Sequence, residues 1–545
     1  MCCWWRNYRL WQKSPTNNPA YLTMLADAAP LPAFPSRLLP LLCLIAGLAS
    51  VLAFAPFGWW PVQFIAQGLL FYLMQQVTSI RRSLMLGWLF GFGCFAFGVY
   101  WPYVSMHNYG DMAWPLAALA VVLFSLLLGV FSGLAMALAN WLRRRLQAGR
   151  LLSLLVLFPT SWMLAEWLRG WIFTGFPWLA FGYAHSASPL AGFAPVLGVY
   201  GVGWIAAIIS GCMALVPTTR RPLGLVALLV AAGMGLRAVP WTHPQGQPIS
   251  VRLLQGNVPQ EEKFQSNHVG ETLQMYSAML REKPADLIAT PETAIAELPQ
   301  MLPPDYLPEL VAFAKQSQSN IALGIVLNPE PGVYTNSVVD LSPQLKPDNL
   351  YRYDKHHLVP FGEFVPYGFH WFVALMSIPL GDQTPGPLPQ APFAVKDQWV
   401  LPNICYEDLF GEEIAANIAS AYWENRTQPT MLLNMSNMAW FGDWLAVPQH
   451  LQISQMRALE TGRPALRATN TGATAIISPQ GTVLHLLPPY TRGTLAANVQ
   501  GYAGLTPYIV CGNLPIVALA LLSLIGAALI ARKKRLSAPT STKNR

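Results

Sequence analysis

Over the first 240 residues, long runs without a charge alternate with short clusters of arginine. Crossing a bilayer core takes roughly 20 apolar residues, so each such run predicts a membrane helix. No charge occurs between Arg37 and Arg81, and "APFGWWP" at 55–61 breaks that run into two predicted helices, 38–57 and 61–79. Further spans are predicted at 83–102, 115–140, 151–168, 193–216 and 222–240, and a last one at 508–531. Between 242 and 507 the texture changes to short β-rich runs and amphipathic stretches. Strands are predicted at 250–258, 286–292, 321–327, 336–341, 399–407, 430–437 and 472–479, and helices at 268–282, 305–318 and 446–461. Alternating strands and helices, with near-continuous apolar strands such as "DLIA" and "MLLN", predict an α/β domain whose sheets are covered on both faces. The expected fold class is therefore a polytopic α-helical membrane domain of about eight spans with an inserted α/β domain.

Charge sharpens this picture. Only 11% of the 545 residues are charged, against about 25% in soluble domains, and the mean hydropathy is +0.35. Arg81 and Arg82, Arg143 to Arg145 with Arg150, Arg220 and Arg221, and "RKKR" at 532–535 all fall on one side of an eight-span count. Basic residues collect in cytoplasmic loops, so both termini are expected inside and residues 242–507 outside the inner membrane. The net charge of +8 records that topology and does not indicate nucleic-acid binding. The predicted organisation is a leader at 1–37, a seven-span region at 38–241, the outer domain at 242–507, an eighth helix at 508–531 and a basic tail at 532–545. The opening "MCCWWRNYRLWQKSPTNNPAYLT" lacks the order of a cleavable signal peptide. It reads as a loosely held tail or as sequence upstream of a start at Met24.

Of seven cysteines, Cys2 and Cys3 lie in the leader and Cys43, Cys94, Cys212 and Cys511 in or beside spans, which leaves Cys405 alone in the outer domain. It has no disulfide partner there. A lone cysteine is often a buried, inert hydrophobe, but three stretches argue for chemistry. "TPETAI" (290–295) ends a predicted strand on Glu292, which as a bland reading would be a helix cap. "YDKHHLVPFGEF" (353–364) holds Lys355 eight residues before Glu363, and "NICYEDLFGEE" places Tyr406, Glu407 and Asp408 behind the thiol. Acyl transfer through cysteine needs a base for the thiol proton and a cation for the tetrahedral oxyanion. A carboxylate serves as base if burial raises its pKa toward neutrality, and a lysine stabilises thiolate and oxyanion alike.

Together these motifs resemble the Glu–Lys–Cys triad of the nitrilase, or carbon–nitrogen hydrolase, superfamily. With seven spans before that domain and one after it, residues 38–531, including "AFAPFGWWP", "TGFPWL" (174–179) and "QGNVPQ" (255–260), resemble the apolipoprotein N-acyltransferase family. The resemblance implies an α-β-β-α sandwich for the inserted domain, with Glu292 as general base, Lys355 at the oxyanion and Cys405 as nucleophile. Glu363, Tyr406 and Glu407 match supporting positions, and Trp241 is placed as a lid or acceptor-site residue. It also implies a ping-pong reaction needing no metal or cofactor. An sn-1 acyl chain of a phospholipid, phosphatidylethanolamine above all, would pass through a thioester to the α-amine of an S-diacylglyceryl cysteine on an apolipoprotein. The enzyme is expected to work as a monomer in the bacterial inner membrane, its catalytic domain on the periplasmic side.

Competing readings are narrower. His356 and His357 suggest a Cys–His dyad or a zinc site, but "ICYED" is no papain-type signature and the other histidines are scattered. The outward aromatic loops at 99–115 and 171–185 are either a lipid entry path or an interfacial belt. Glu166 and Arg169 are expected to form a local i, i+3 ion pair. A membrane-tethered nitrilase-type amidase is the alternative function; a transporter would call for repeat symmetry or paired intramembrane charges, which the chain lacks.

Overall fold

The computed structural model describes residues 33–263, 265–346, 350–373 and 382–537; residues 1–32 of the predicted leader, with Cys2, Cys3 and Met24, and residues 538–545 of the tail lie outside them. Each charge-free run forms a helix. The stretches Trp114–Leu146, Arg150–Arg169, Pro189–Leu215 and Leu514–Lys533 are long and apolar enough to cross a membrane, and a fifth span results if the bent pair Ile80–Gly98 and Pro102–Tyr109 is counted as one. The other three predicted spans are shorter apolar helices, Leu39–Ala53, Pro61–Met74 and Pro222–Arg237. Lipid tails give no hydrophobic drive for helices to associate, so close backbone approach through small residues does that work. Here a Cβ on Gly91 would lie 2.7 Å from the Gly129 Cα, and one on Gly133 would lie 2.8 Å from the Leu84 carbonyl oxygen. The outer face of Trp114–Leu146 exposes Leu116, Leu119, Leu123 and Leu127, as a lipid-facing helix does.

The expected Glu166–Arg169 ion pair is replaced by something else. Glu166 accepts the Phe181 amide at 3.0 Å, and Arg169 donates to the carbonyls of Phe176 and, at 2.8 Å, Trp178. Both charges therefore hold the 176–181 loop against their own helix: buried carbonyl and amide groups of that irregular loop need partners, and two long side chains one turn apart reach three of them. The 171–185 stretch divides accordingly, with Trp171 and Phe173 exposed and 178–185 buried.

Residues 249–499 form two six-stranded sheets. The first runs in the order Gly493–Val499, Ile249–Gln255, Leu287–Ala289, Asn320–Glu330, Val333–Leu341, Tyr351–Asp354. The second runs Val483–Leu486, Ala475–Ile477, Ala465–Thr469, Met431–Ser436, Gln398–Ile404, Phe393–Val395. In each, three central strands are parallel and the flanks antiparallel. The period of two separates the faces. Val251, Leu253 and Leu287 share a core with Val400, Leu433 and Leu466 of the other sheet, while Leu254, Ile288 and Ile321 pack outward with helices Ser266–Arg281 and Tyr306–Ser317. Leu401, Leu432 and Ala465 face the other way, onto helices Gly411–Trp423 and Ala446–Thr461. The result is helix, sheet, sheet, helix. A two-residue ribbon, His243–Pro244 against Tyr502–Ala503, closes the point where the chain enters and leaves this unit.

Several predicted boundaries move. The strand expected to reach 407 ends at Ile404, and the one expected to reach 292 ends at Ala289. Both catalytic candidates thus lie in turns just beyond carboxyl ends of parallel strands, where ladder bonding stops and side chains are free to converge.

Candidate active site

Cys405 opens a short 3₁₀ turn, Cys405–Leu409, with φ +51°. A non-glycine residue in the left-handed region is held there by its surroundings, and three partners do so. Glu407 folds back so that its Oε2 accepts the Ile404 amide at 2.5 Å. The Cys405 carbonyl accepts from His450 Nε2 at 3.1 Å and from Asn434 Nδ2 at 3.4 Å. Arg467 Nη2 lies 2.9 Å from His450 Nδ1. A guanidinium only donates, so Nδ1 is the acceptor and Nε2 carries the proton given to Cys405. Burial, then the charge of Arg467, hold this imidazole well below its usual range and so neutral.

Lys355 follows strand Tyr351–Asp354 and is 1% exposed. Its ammonium bonds Glu363 Oε1 at 2.6 Å and Glu292 Oε1 at 3.1 Å. Glu363 Oε2 in turn accepts the Val359 amide at 2.8 Å. Asn336 Nδ2 donates to Glu292 Oε1 at 2.8 Å, and the Asn437 amide donates to Glu292 Oε2 at 2.8 Å. Glu407 ties the pieces together: besides the Ile404 amide it accepts the His356 amide at 2.7 Å and the Tyr353 hydroxyl at 3.0 Å. The lysine turn and the cysteine turn therefore share one carboxylate.

The electrostatics differ from the simple expectation of a base raised by burial. Burial does work to raise Glu292, but the ammonium groups of Lys355 and Lys263 and the bonds from Lys355 and Asn336 outweigh it and hold the carboxyl below its usual range. Burial pushes the Cys405 thiol up, and Glu292 and Glu363 add to that, against Lys355 and the Asn437 amide. The resting site is thus thiol, carboxylate and ammonium. Glu407 is pushed up to about 7 by burial, against the amides it accepts.

The site faces the helical region. The Tyr406 hydroxyl donates to the Gly175 carbonyl at 2.8 Å, and His357 Nε2 lies 2.9 Å from the Thr174 carbonyl oxygen. Trp178 stacks on His450, ring centroids 5.8 Å apart, and its indole donates to Gln449 at 2.7 Å. The two histidines that suggested a dyad look elsewhere: His356 Nδ1 lies 2.7 Å from the Gly386 carbonyl oxygen and His357 Nδ1 lies 2.8 Å from Glu413.

Of the seven residues singled out from sequence, the structure brings Glu292, Lys355 and Glu363 into one bonded cluster beside Cys405, with Glu407 linking the cysteine and lysine turns and Tyr406 on the side of the helical region. Trp241 is the exception. It sits beside Gly504 at the closing ribbon, its amide bonded to Val239, and none of its described contacts reaches the cluster. Asn336, Asn437, Lys263 and His450 escaped the sequence reading. Asn437 had a signal, since it directly follows the strand "MLLNMS" as Glu292 closely follows "LIA"; His450, inside a helix, had none.

Two family models match the chain: the apolipoprotein N-acyltransferase N-terminal domain over residues 46–212 and carbon-nitrogen hydrolase over 250–508. The apolipoprotein N-acyltransferase of Ralstonia nicotianae is 48% identical over 505 residues, covering 92% of this chain and 94% of that protein. That of Nitrosomonas europaea is 41% identical over 495 residues, 89% of this chain and 96% of that protein. Among solved structures, an amidase from Nesterenkonia sp. matches at 17% identity and a TM-score of 0.35, over 47% of this chain and 92% of that one.

Proposed function

We propose a mechanism from the premise that the chain belongs to the apolipoprotein N-acyltransferase family and is an acyltransferase of lipoprotein maturation. The sulfur of Cys405 attacks the sn-1 ester carbonyl of a phospholipid while Glu292 takes the thiol proton. Lys355, with two N–H groups on carboxylates and a third to spare, stabilises the oxyanion. Collapse breaks the bond to the glycerol oxygen, which takes the proton from Glu292 and departs as a lysophospholipid. In the second half, the α-amine of an S-diacylglyceryl cysteine attacks the thioester, and Glu292 accepts the amine proton. The C–S bond then breaks, the proton returns to sulfur, and the lipoprotein leaves with an amide-linked third chain.

The observation that carries this reading is the buried Glu292–Lys355–Glu363 cluster beside a lone thiol whose own turn is bonded to the helical region through Tyr406 and Gly175. A lipid ester is presented at a membrane surface, and apolar chains packed over a thioester disfavour its hydrolysis. The same contacts favour the lipid reading over an amidase, which would have no use for them. We place eight spans around the site, the three short helices included, with the arginine-rich loops cytoplasmic and the catalytic unit, 242–507, at the periplasmic face of the inner membrane. Phosphatidylethanolamine is the proposed donor, and the enzyme is proposed to act as a monomer.

Intact-mass analysis after incubation with phosphatidylethanolamine micelles tests the scheme. The expected result is an acyl-sized, hydroxylamine-labile adduct that Cys405→Ala lacks. A Cys405→Ala enzyme that still acylates a diacylated lipopeptide would sink it, and ammonia release from small amides with lipids untouched would favour the amidase.

A further inference from the structure

Lys263 is a second buried ammonium that the scheme above does not use. It is 4% exposed and reaches in from the turn after "QGNVPQ". Its Nζ donates to the Glu292 backbone carbonyl at 3.1 Å and to Thr293 Oγ1 at 2.6 Å. Thr293 has φ +44°, so this bond clamps a turn that a threonine adopts only when held there. The clamp and the charge act on the same residue, Glu292.

The charge balance gives the ammonium its purpose. Glu292 and Glu363 together carry two negative charges and Lys355 one positive, which leaves a buried cluster with one negative charge in excess. Adding an anionic sulfur or an oxyanion to such a site is costly in a medium that solvates charge poorly. Lys263 brings the cluster to neutrality before the reaction begins. Proton transfer from Cys405 to Glu292 then leaves the net charge at zero throughout.

We propose that Lys263 is a positioning residue for thioester formation, acting in its charged form to fix the Glu292 turn and to neutralise the carboxylate pair around Cys405. The inference rests on the acyltransferase reading. The charged groups facing Lys263 are Glu292 and, through it, Lys355 and Glu363, with Cys405 across the site and Glu261 and Glu262 on its own segment. Burial lowers this amine to about 8, against the pull of Glu292 and Cys405. It therefore loses its proton within the working range as pH rises.

The test is single-turnover lysophospholipid release by the full-length enzyme in phosphatidylethanolamine micelles from pH 7.5 to 9.5, roughly spanning that value. This reads the first half-reaction and leaves out the acceptor amine. The wild type should lose rate as pH rises through about 8. Lys263→Met should be slower by about 10–100-fold and flat across the range, whereas Lys263→Arg, always charged, should recover most of the rate and carry no limb. A merely structural lysine would not move the limb. Lys263→Met with the wild-type rate, or with the wild-type limb, overturns the inference and leaves the acyltransferase reading intact. A flat wild-type profile overturns it even if the variants do not fold. A wild type that forms no thioester overturns the acyltransferase reading and the inference with it.

Discussion

Helices Ile80–Gly98 and Trp114–Leu146 meet through Gly91, Gly129 and Gly133, with small apolar surfaces and few polar bonds between them. At the carboxyl ends of the sandwich strands the reverse holds: Glu292, Lys355, Glu363 and Glu407 are all buried, and each accepts or donates several hydrogen bonds. The first region is defended by volume, since a side chain at any of these glycines would meet backbone. The second is defended by geometry and charge, because every buried polar group there loses water and must find a partner. Between them lies the 174–178 loop, bonded by Arg169 from the helical side and by Tyr406 and His357 from the catalytic side.

That contrast can be broken most forcefully at Lys355. Lys355→Met leaves Glu292 and Glu363 without the ammonium that bonds both, and removing one partner of a buried pair costs about 3–5 kcal/mol. The expected outcome is a large drop in thermal midpoint in detergent together with loss of the thioester. Next is Glu407, which joins the cysteine turn to the lysine turn. As pH falls through about 7 the carboxyl protonates and loses acceptor capacity for the Ile404 and His356 amides. Acylation should fall along that limb, while Glu292, held below its ordinary 4.5, adds none until the pH is lower still. Glu407→Gln should reduce single-turnover acylation on the order of 10–100-fold and flatten the limb.

A matching change in the helical region should behave differently. Gly129→Leu forces the Trp88 and Phe92 backbone away; overpacking of this kind costs about 1–3 kcal/mol. Its thermal midpoint should fall while the shape of the pH profile stays that of the wild type. A changed profile would mean that the helical packing sets the charge state of the site. The smallest expected effect is at the bridge. Tyr406→Phe removes one bond to Gly175, about 1 kcal/mol or roughly fivefold, and should slow acylation of a membrane-embedded donor more than that of a short-chain soluble ester.

Much of the architecture was readable in one dimension, because its causes are local. A charge-free run predicts a helix in lipid whatever surrounds it, so all eight segments are helical where expected, although three are shorter than a full crossing. Near-continuous apolar strands such as Leu287–Ala289 and Met431–Ser436 carried their own signal of burial on both faces. Two of the strands that went unread, Tyr351–Asp354 and Ala465–Thr469, are four and five residues long and include arginine, and only their neighbours make them strands. In the second, Arg467 is 0% exposed and pairs with Asp408 at 3.1 Å, a burial no local rule anticipates.

The candidate site divides along the same line. Short motifs around Glu292, Lys355 and Cys405 offered a carboxylate, an ammonium and a thiol, since those are properties of side chains that the chain states outright. Whether Glu292 is raised or lowered, by contrast, depends on Lys263 and Lys355, 29 and 63 residues away, and Coulomb interaction follows distance in space. The same reason separates Glu166 from Arg169, whose partners lie in a loop rather than one turn along the helix. The sequence by itself determined which groups could react and which segments would be helical in lipid. Only the tertiary structure decided their charge states and their common location, because burial and proximity belong to the folded chain.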